Sequence, residues 1–294
     1  MDRTLRKSLL VYNPRSGNAD IILNNFDLIA SKFLKSGITL TLYSINREYD
    51  ELSNILKNEK YDILILAGGD GTLSRCLSQL YNENIEFPPV GIFPTGTSND
   101  LGKSLKLGES IENWIDNIIQ GRPENIDFGL INKETIFLSS YAGGLFSKVS
   151  YATDKNLKKL MGKAAYHIGG ISELANIKEF DLNITLETGE KISEKAILFI
   201  IVNGKSAGGF EKVTSEANMS DGYMNLIIVK SIVKPFDIPQ ILIDLFNNNL
   251  INNNHVSEIL TRSCTIEKID REIGISIDGE EGKNERVKIE FVQN

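Results

Sequence analysis

Short runs of β-formers alternate with amphipathic helical periods over residues 8–119, and this alternation restricts the fold more than any other feature of the chain. Strands are expected over 8–12, 40–43, 63–67 and 90–93, and helices over 21–35, 49–56, 73–81 and around 114–119. The first helical period carries Leu23, Phe26, Ile29, Ala30, Phe33 and Leu34 on one face and stops at Gly37. Strands that each hand over to a helix form a parallel sheet with helices on its faces.

After Gly121-Arg122-Pro123 the pattern changes to strand signals over 126–130, 135–139, 182–186, 196–202, 223–229, 265–269, 274–277 and 287–292. Alternation at Ile184 and Leu186, and at Ile275 and Ile277, suits antiparallel strands with one wet face. Helical segments interrupt this region over 155–177 and 235–247, and the polar tract over 247–255 reads as a turn. A chain of 294 residues favours two domains. The expectation is an α/β domain over 1–125 and a β-rich domain over 126–294.

Several classes of function are excluded early. There is no apolar run of about 18 residues or more to cross a membrane, and the apolar run after the basic start is too short for a signal peptide. The expected location is cytoplasmic. A net charge of −7 argues against a dedicated nucleic-acid binder. The two cysteines, Cys76 and Cys264, lie far apart with no ligand pattern around them, so both are read as buried, inert thiols. With only two histidines in the chain, any acid or base is expected to be a carboxylate.

An open parallel sheet binds ligands in the loops beyond the carboxyl ends of its strands. Three such segments occur: Asn13-Pro14-Arg15-Ser16-Gly17, Gly68-Gly69-Asp70-Gly71-Thr72, and Pro94-Thr95-Gly96-Thr97-Ser98-Asn99-Asp100. Glycines let backbone amides approach an anion, and a following helix adds its positive end, so the three together favour a nucleoside triphosphate site. Neither a P-loop nor a dinucleotide fingerprint is present. Asp70 and Asp100 would repel phosphates unless a divalent cation stands between, and magnesium riding on a nucleotide is the fitting ion. The structural alternatives are an Asx-turn at Asp70 and an N-cap at Asp100.

The segments VYNPRSG, GGDGT, PTGTSNDLGKSL, VNGKSAGGF, ANMSDGYMNLIIV and ISIDGEEG, taken in order, resemble the diacylglycerol kinase catalytic-domain family of soluble bacterial lipid kinases. GGDGT alone is shared with NAD kinases and is similar to a phosphofructokinase loop. The resemblance implies a parallel-sheet α/β N-terminal domain like that of NAD kinase and phosphofructokinase, followed by a C-terminal β-sandwich-like domain. It also implies an ATP- and Mg2+-dependent transfer to a lipid hydroxyl, with diacylglycerol the expected acceptor. Alternatives are another lipid alcohol such as phosphatidylglycerol or a sphingoid base, NAD, or a noncatalytic sensing role.

By the same resemblance Asn13, Pro14, Arg15, Ser16, Gly17, Gly68, Gly69, Asp70, Gly71, Thr72, Leu73, Ser74, Arg75 and Thr97 contact the nucleotide. Asp100 and Asp127 join Asp70 in the network around phosphates and magnesium, and Glu280 is the general base that takes the proton of the attacking alcohol. A second, structural magnesium is expected at Asp221, with Asn218 and Tyr223. Two departures stand out. Ser74-Arg75 occupies the place where relatives carry Asn-Glu, and the adenosine-side threonine has only Ser44 as a counterpart. The basic-apolar stretch Lys155, Leu157, Lys158, Lys159, Leu160, Met161, Lys163 and His167 is expected to touch the inner face of an anionic membrane peripherally. A homodimer is also admitted.

Overall fold

The structure, a computed structural model, describes residues 5–45, 51–144, 179–205, 207, 214, 218–231, 244, 254–270 and 272–293. The helices expected over 155–177 and, apart from Asp244, over 235–247 lie outside the described residues, as does the whole basic stretch from Lys155 to His167. The chain divides into two compact units, one of residues 1–125 with 134–136, the other of residues 126–133 with 137–294.

The first unit is built on four parallel strands, β1 (Arg6–Tyr12), β2 (Ile38–Ser44), β3 (Ile63–Gly68) and β4 (Val90–Pro94), in the order β2-β1-β3-β4. Its helices are α1 (Asp20–Asn24), α2 (Phe26–Lys35), α3 (Leu52–Asn58), α4 (Asp70–Asn82), α5 (Asp100–Ser104) and α6 (Ile111–Gln120). All six residues of β3 are buried, because a central parallel strand is covered on both faces. Leu10, Ile65 and Phe93 of the sheet pack with Ile29 and Phe33 of α2 and with Trp114 and Ile115 of α6. Ser110 caps α6 by accepting from Asn113 N–H at 3.2 Å, a contact typical of the residue type that starts helices.

One expectation is corrected here, and one structural alternative falls away. The single helix over 21–35 is two, because Asn25 leaves helical geometry at φ −116° and its side-chain amide donates to Ile21 O at 2.8 Å. That local bond competes with the backbone ladder, as asparagine commonly does. Asp100 is not an N-cap; it is the first residue of α5, and Asn99 occupies the cap in left-handed geometry at φ 53°.

The second unit is antiparallel throughout its described pairings. Its strands are β5 (Phe128–Ile131), β6 (Thr135–Phe137), β7 (Ser140–Gly144), β8 (Phe180–Leu186), β9 (Lys191–Val202), β10 (Met224–Lys230), β11 (Val256–Thr261), β12 (Ser263–Ile266), β13 (Ile275–Ile277), β14 (Glu280–Gly282) and β15 (Val287–Val292). Thr135 and Ile136 of β6 are counted with the first unit. The long strand β9 pairs with β8 along its first half, and with β7 and β10 along its second. Phe199 and Ile201 face a core shared with β7, β8, β10, β12, β13 and β15, while Leu198, Ile200 and Val202 face a second cluster with Ile227 and Val229. Burial on both faces explains why AILFIIV reads as one unbroken apolar run.

The strand expected over 135–139 is interrupted at Leu138 and Ser139, for a reason that belongs to the site described next. The polar tract before residue 256 hides β11, which pairs with β10 from Val229↔Val256 to Met224↔Thr261.

Candidate active site

In the first unit the three glycine loops meet. β1 and β3 lie side by side while β2 leaves on the other side of β1, so the chain reverses direction across the sheet between them. Such a reversal opens a crevice at the carboxyl ends of the strands. Asn13, just past β1, donates from Nδ2 to Thr72 Oγ1 at 2.9 Å, bridging that crevice, and its Oδ1 accepts Arg15 N–H at 2.9 Å. Ser16 Oγ and Thr95 Oγ1 are 2.9 Å apart, and Asn18 N–H donates to Thr95 O at 2.8 Å. The side-chain amides of Asn18 and Asn99 both donate to Gly96 O, at 3.2 and 3.0 Å.

The glycines are needed because the loops touch backbone to backbone. A Cβ on Gly96 would stand 2.4 Å from Gly69 Cα, and one on Gly17 would stand 2.9 Å from Thr97 Oγ1. Helix α4 begins directly at Asp70, so its positive end faces the crevice with Gly69 at the cap and no side-chain cap bond.

Asp70 is spent within this scaffold. Its Oδ2 accepts Asp100 N–H and its Oδ1 accepts Leu101 N–H, each at 3.0 Å. Burial pushes its carboxyl above the usual range, against the pull of those amides and of Lys103. Asp100 is itself buried beside it. Ser74 turns its hydroxyl back onto its own helix, donating to Asp70 O and Gly71 O, and Arg75 is exposed. Positions 74 and 75, where the resemblance led to Asn-Glu being expected, therefore present one inward, helix-bound hydroxyl and one outward cation. Gly68 ends β3, Leu73 is buried in α4, Pro14 and Arg15 are exposed, and Ser44 ends β2 exposed.

The second unit holds the remaining carboxylates. Asp127 is 1% exposed; its Oδ2 accepts Gly222 N–H at 2.6 Å, and its own N–H donates to Met219 O at 2.6 Å. It thus clamps the loop that carries the expected second metal site. In that loop Asn218 Oδ1 accepts from Ser220, Asp221 Oδ1 accepts Tyr223 N–H at 2.9 Å, and the Arg262 guanidinium lies 4.5 Å from the Tyr223 ring centroid.

Asp278 and Gly279, at φ 48° and 83°, make the two-residue turn from β13 to β14. Asp278 Oδ2 accepts Leu138 N–H at 2.7 Å, and Oδ1 accepts Ser139 and Ser140 N–H at 2.8 and 2.9 Å. The amides of Leu138 and Ser139 go to this carboxylate and not to a neighbouring strand, and these are the two residues between the end of β6 and the start of β7. Glu280 follows immediately, exposed, opposite Ile277.

Among the described residues no group of three or more His, Cys, Asp or Glu side chains could hold a metal by itself. Asp70 is occupied by amides, Asp100 is buried beside it, and the rest of the cradle offers hydroxyls and carbonyls. This donor set suits magnesium that arrives with its own phosphates and waters. Residue-by-residue reading missed Thr95, Asn18, Asn99, Asn203 and Asp278 as organisers. The cue available was a small polar residue directly after a buried apolar strand, as in FPTGTSN and IIVNG.

The family model described as the diacylglycerol kinase catalytic domain matches residues 7–131, and the one described as the YegS C-terminal NAD kinase beta sandwich-like domain matches residues 139–292. A protein called diacylglycerol kinase from Staphylococcus saprophyticus is 34% identical over 227 residues, covering 76% of this chain and 73% of its own. Its namesake from Staphylococcus aureus strain JH9 is 34% identical over 227 residues, covering 76% and 71%. A crystal structure of a presumed diacylglycerol kinase from Bacillus anthracis strain Sterne matches with a TM-score of 0.78 at 25% identity, over 99% of this chain and 93% of that one. A second crystal structure from that strain, described as a diacylglycerol kinase, matches with a TM-score of 0.72 at 24% identity over 98% and 94%, and speaks for the fold.

A parallel-sheet unit with a loop cradle, followed by an antiparallel β-sandwich-like unit, is the arrangement that both family models describe, and the relatives it matches are named as lipid kinases. The chain belongs to the diacylglycerol kinase catalytic-domain family.

Proposed function

We propose that the protein transfers the γ-phosphoryl group of ATP to the primary hydroxyl of diacylglycerol, yielding phosphatidate and ADP, as a step of phospholipid metabolism. The observation that carries this reading is the meeting of the three loops, with Gly69 and Gly96 in backbone contact and Asn13 bonded to Thr72 across the crevice. The names carried by the Staphylococcus relatives supply the acceptor.

Backbone amides of these loops and the start of α4 receive the phosphates, with Ser16, Thr72 and Thr97 as hydroxyl partners. Asp70, accepting the Asp100 and Leu101 amides, fastens the cradle to α5. Magnesium, when bound with the nucleotide, neutralises charge on the phosphate oxygens. Glu280 accepts the proton of the lipid hydroxyl while its oxygen attacks phosphorus and the bond to the leaving ADP oxygen breaks. Asp127 orders the Asn218 to Tyr223 loop, where Asp221 supplies a single carboxylate; a second magnesium there would be largely hydrated and weakly held.

The acceptor lies in a bilayer, and no helix among the described residues is long and apolar enough to cross one. The reading is of a cytoplasmic enzyme that touches the inner membrane face, with the lysines at 155–163 contributing about 1 kcal/mol each near an anionic surface. A homodimer is compatible with it.

The test is transfer of label from γ-labelled ATP, with magnesium, to diacylglycerol in phosphatidylglycerol vesicles, with the product identified by mass spectrometry. Labelled phosphatidate is expected. Label on phosphatidylglycerol, or on NAD added to the same mixture, would reassign the acceptor, and no labelled product would sink the reading.

A further inference from the structure

The VNGKS segment has no part in the chemistry described so far, yet Asn203 sits at the centre of the polar network of the second unit. It follows the last residue of β9 and is 1% exposed. Its side-chain Nδ2 donates to Asp127 O at 2.6 Å and to Leu138 O at 3.1 Å, and its backbone N–H donates to Ser139 O at 2.8 Å. One side chain therefore ties the backbone of the Asp127 loop to the segment whose amides hold Asp278.

Each neighbouring link is short and continuous. Leu138, Ser139 and Ser140 give their amides to Asp278, and Asp278 N–H returns to Ser140 O at 2.9 Å. Two residues later the chain reaches Glu280. On the other side, Asp127 holds Gly222 and Met219.

Keeping an amide here has a cost. Asn203 Oδ1 and Ser139 Oγ are both buried without a hydrogen-bond partner among the described residues, and a buried unsatisfied polar group is destabilising. An apolar residue of similar size would avoid that cost at Asn203, but it would lose both donated bonds. The two bonds, to carbonyls 11 residues apart in sequence, are thus what the asparagine supplies.

We infer that Asn203 is a positioning residue for phosphoryl transfer: it fastens the Asp127 loop to the 138–140 segment and, through Asp278, fixes the start of β14 that carries Glu280. The inference rests on the reading of Glu280 as the base.

Two measurements on Asn203→Leu separate the two. Hydrogen exchange followed by mass spectrometry on the full chain reads the positioning without needing a substrate. Peptides covering 137–141 and 276–282 should both exchange at least about tenfold faster than in the wild type, while a peptide covering 63–68 is unchanged, as expected for a local opening. In the vesicle assay, kcat should fall about 10- to 100-fold with the KM for ATP within about twofold, the pattern of a displaced catalytic group. Asn203→Leu in a Glu280→Gln background should lower kcat no further.

Unchanged exchange at 276–282 would overturn the inference whatever the activity. Faster exchange with wild-type kcat would also overturn it, because the displaced residue would then not matter to turnover. If the wild type phosphorylates no acceptor while both peptides loosen in the variant, the reading of Glu280 fails and the structural coupling stands. Should Asn203→Leu fail to fold, Asn203→Ser takes its place; if neither folds, Asn203 is a core residue and the inference falls.

Discussion

The two carboxylate oxygens of Asp70 hold the backbone amides of Asp100 and Leu101, each at 3.0 Å, so the residue in the middle of the GGDGT turn fastens that turn to the first turn of α5. The carboxylate answers the positive end of a short helix, and the turn and the PTGTSND loop become one rigid piece. Any contact of Asp70 with a nucleotide-borne cation is made from this fixed position.

Because burial raises the Asp70 carboxyl above its usual range, the native state binds its proton more tightly than the unfolded chain does. The associated stability is full below the unfolded carboxylate value and is lost as pH rises through the native one. Asp70→Asn should cost about 1–3 kcal/mol at the acid end of this window, since one amide loses its acceptor. The difference from wild type should shrink as pH rises. Urea unfolding of both proteins across that range checks it; a difference that grows with pH would contradict the sign.

Gly96→Ala places a methyl 2.4 Å from Gly69 Cα, whereas Gly69→Ala places one 3.1 Å from Gly96 Cα. Backbone cannot swing aside, so the first should cost about 1–3 kcal/mol of stability and weaken nucleotide binding more than the second. Melting temperatures and ATP titrations of the two variants give the order directly.

Glu280→Gln keeps the size of the side chain and removes its basicity. Turnover on diacylglycerol vesicles should fall by about 10²- to 10⁴-fold, the usual share of a general base, while ATP affinity stays near wild type. Glu280 is exposed and carries no hydrogen bond among those described that would unfold the chain when lost. Near-normal turnover would remove it from the base role.

Glu187 is held below the usual glutamate range. Burial opposes this, but hydrogen bonds from the Thr261 hydroxyl and the Arg262 and Ser263 amides outweigh it. Its contribution is present above the unfolded glutamate value and is lost as pH falls through the lower native one. Glu187→Gln should therefore flatten the acid limb of the stability curve, measured by thermal melting from neutral pH downward, and leave the neutral-to-alkaline limb parallel to wild type.

Much of the fold was legible because apolar periodicity reports burial directly. The strands over 8–12, 63–67 and 287–292 coincide with β1, β3 and β15 within one or two residues. Where a polar side chain made a long-range or competing bond, periodicity had nothing to say. Asn25 split a helix whose apolar face continues across the break, and Asp278 split a strand from 138 residues or more away in sequence. β11 was hidden because asparagines precede it and only one of its six residues, Thr261, is fully buried.

The glycine loops were legible as phosphate-friendly turns, since glycine content and position after a strand are local properties. The tasks of their polar residues were not. Asp70 as a latch, Asn13 as a brace to Thr72 and Asn203 as a tie between two loops depend on partners 30, 59 and 65 or more residues away.

The sequence by itself determined most of the strand and helix segments, the order of a parallel unit and an antiparallel one, and the family to which the chain belongs. Only the tertiary structure decided what each carboxylate and amide holds. Burial patterns are written along the chain, whereas hydrogen bonds between loops exist only once strand order has brought those loops together.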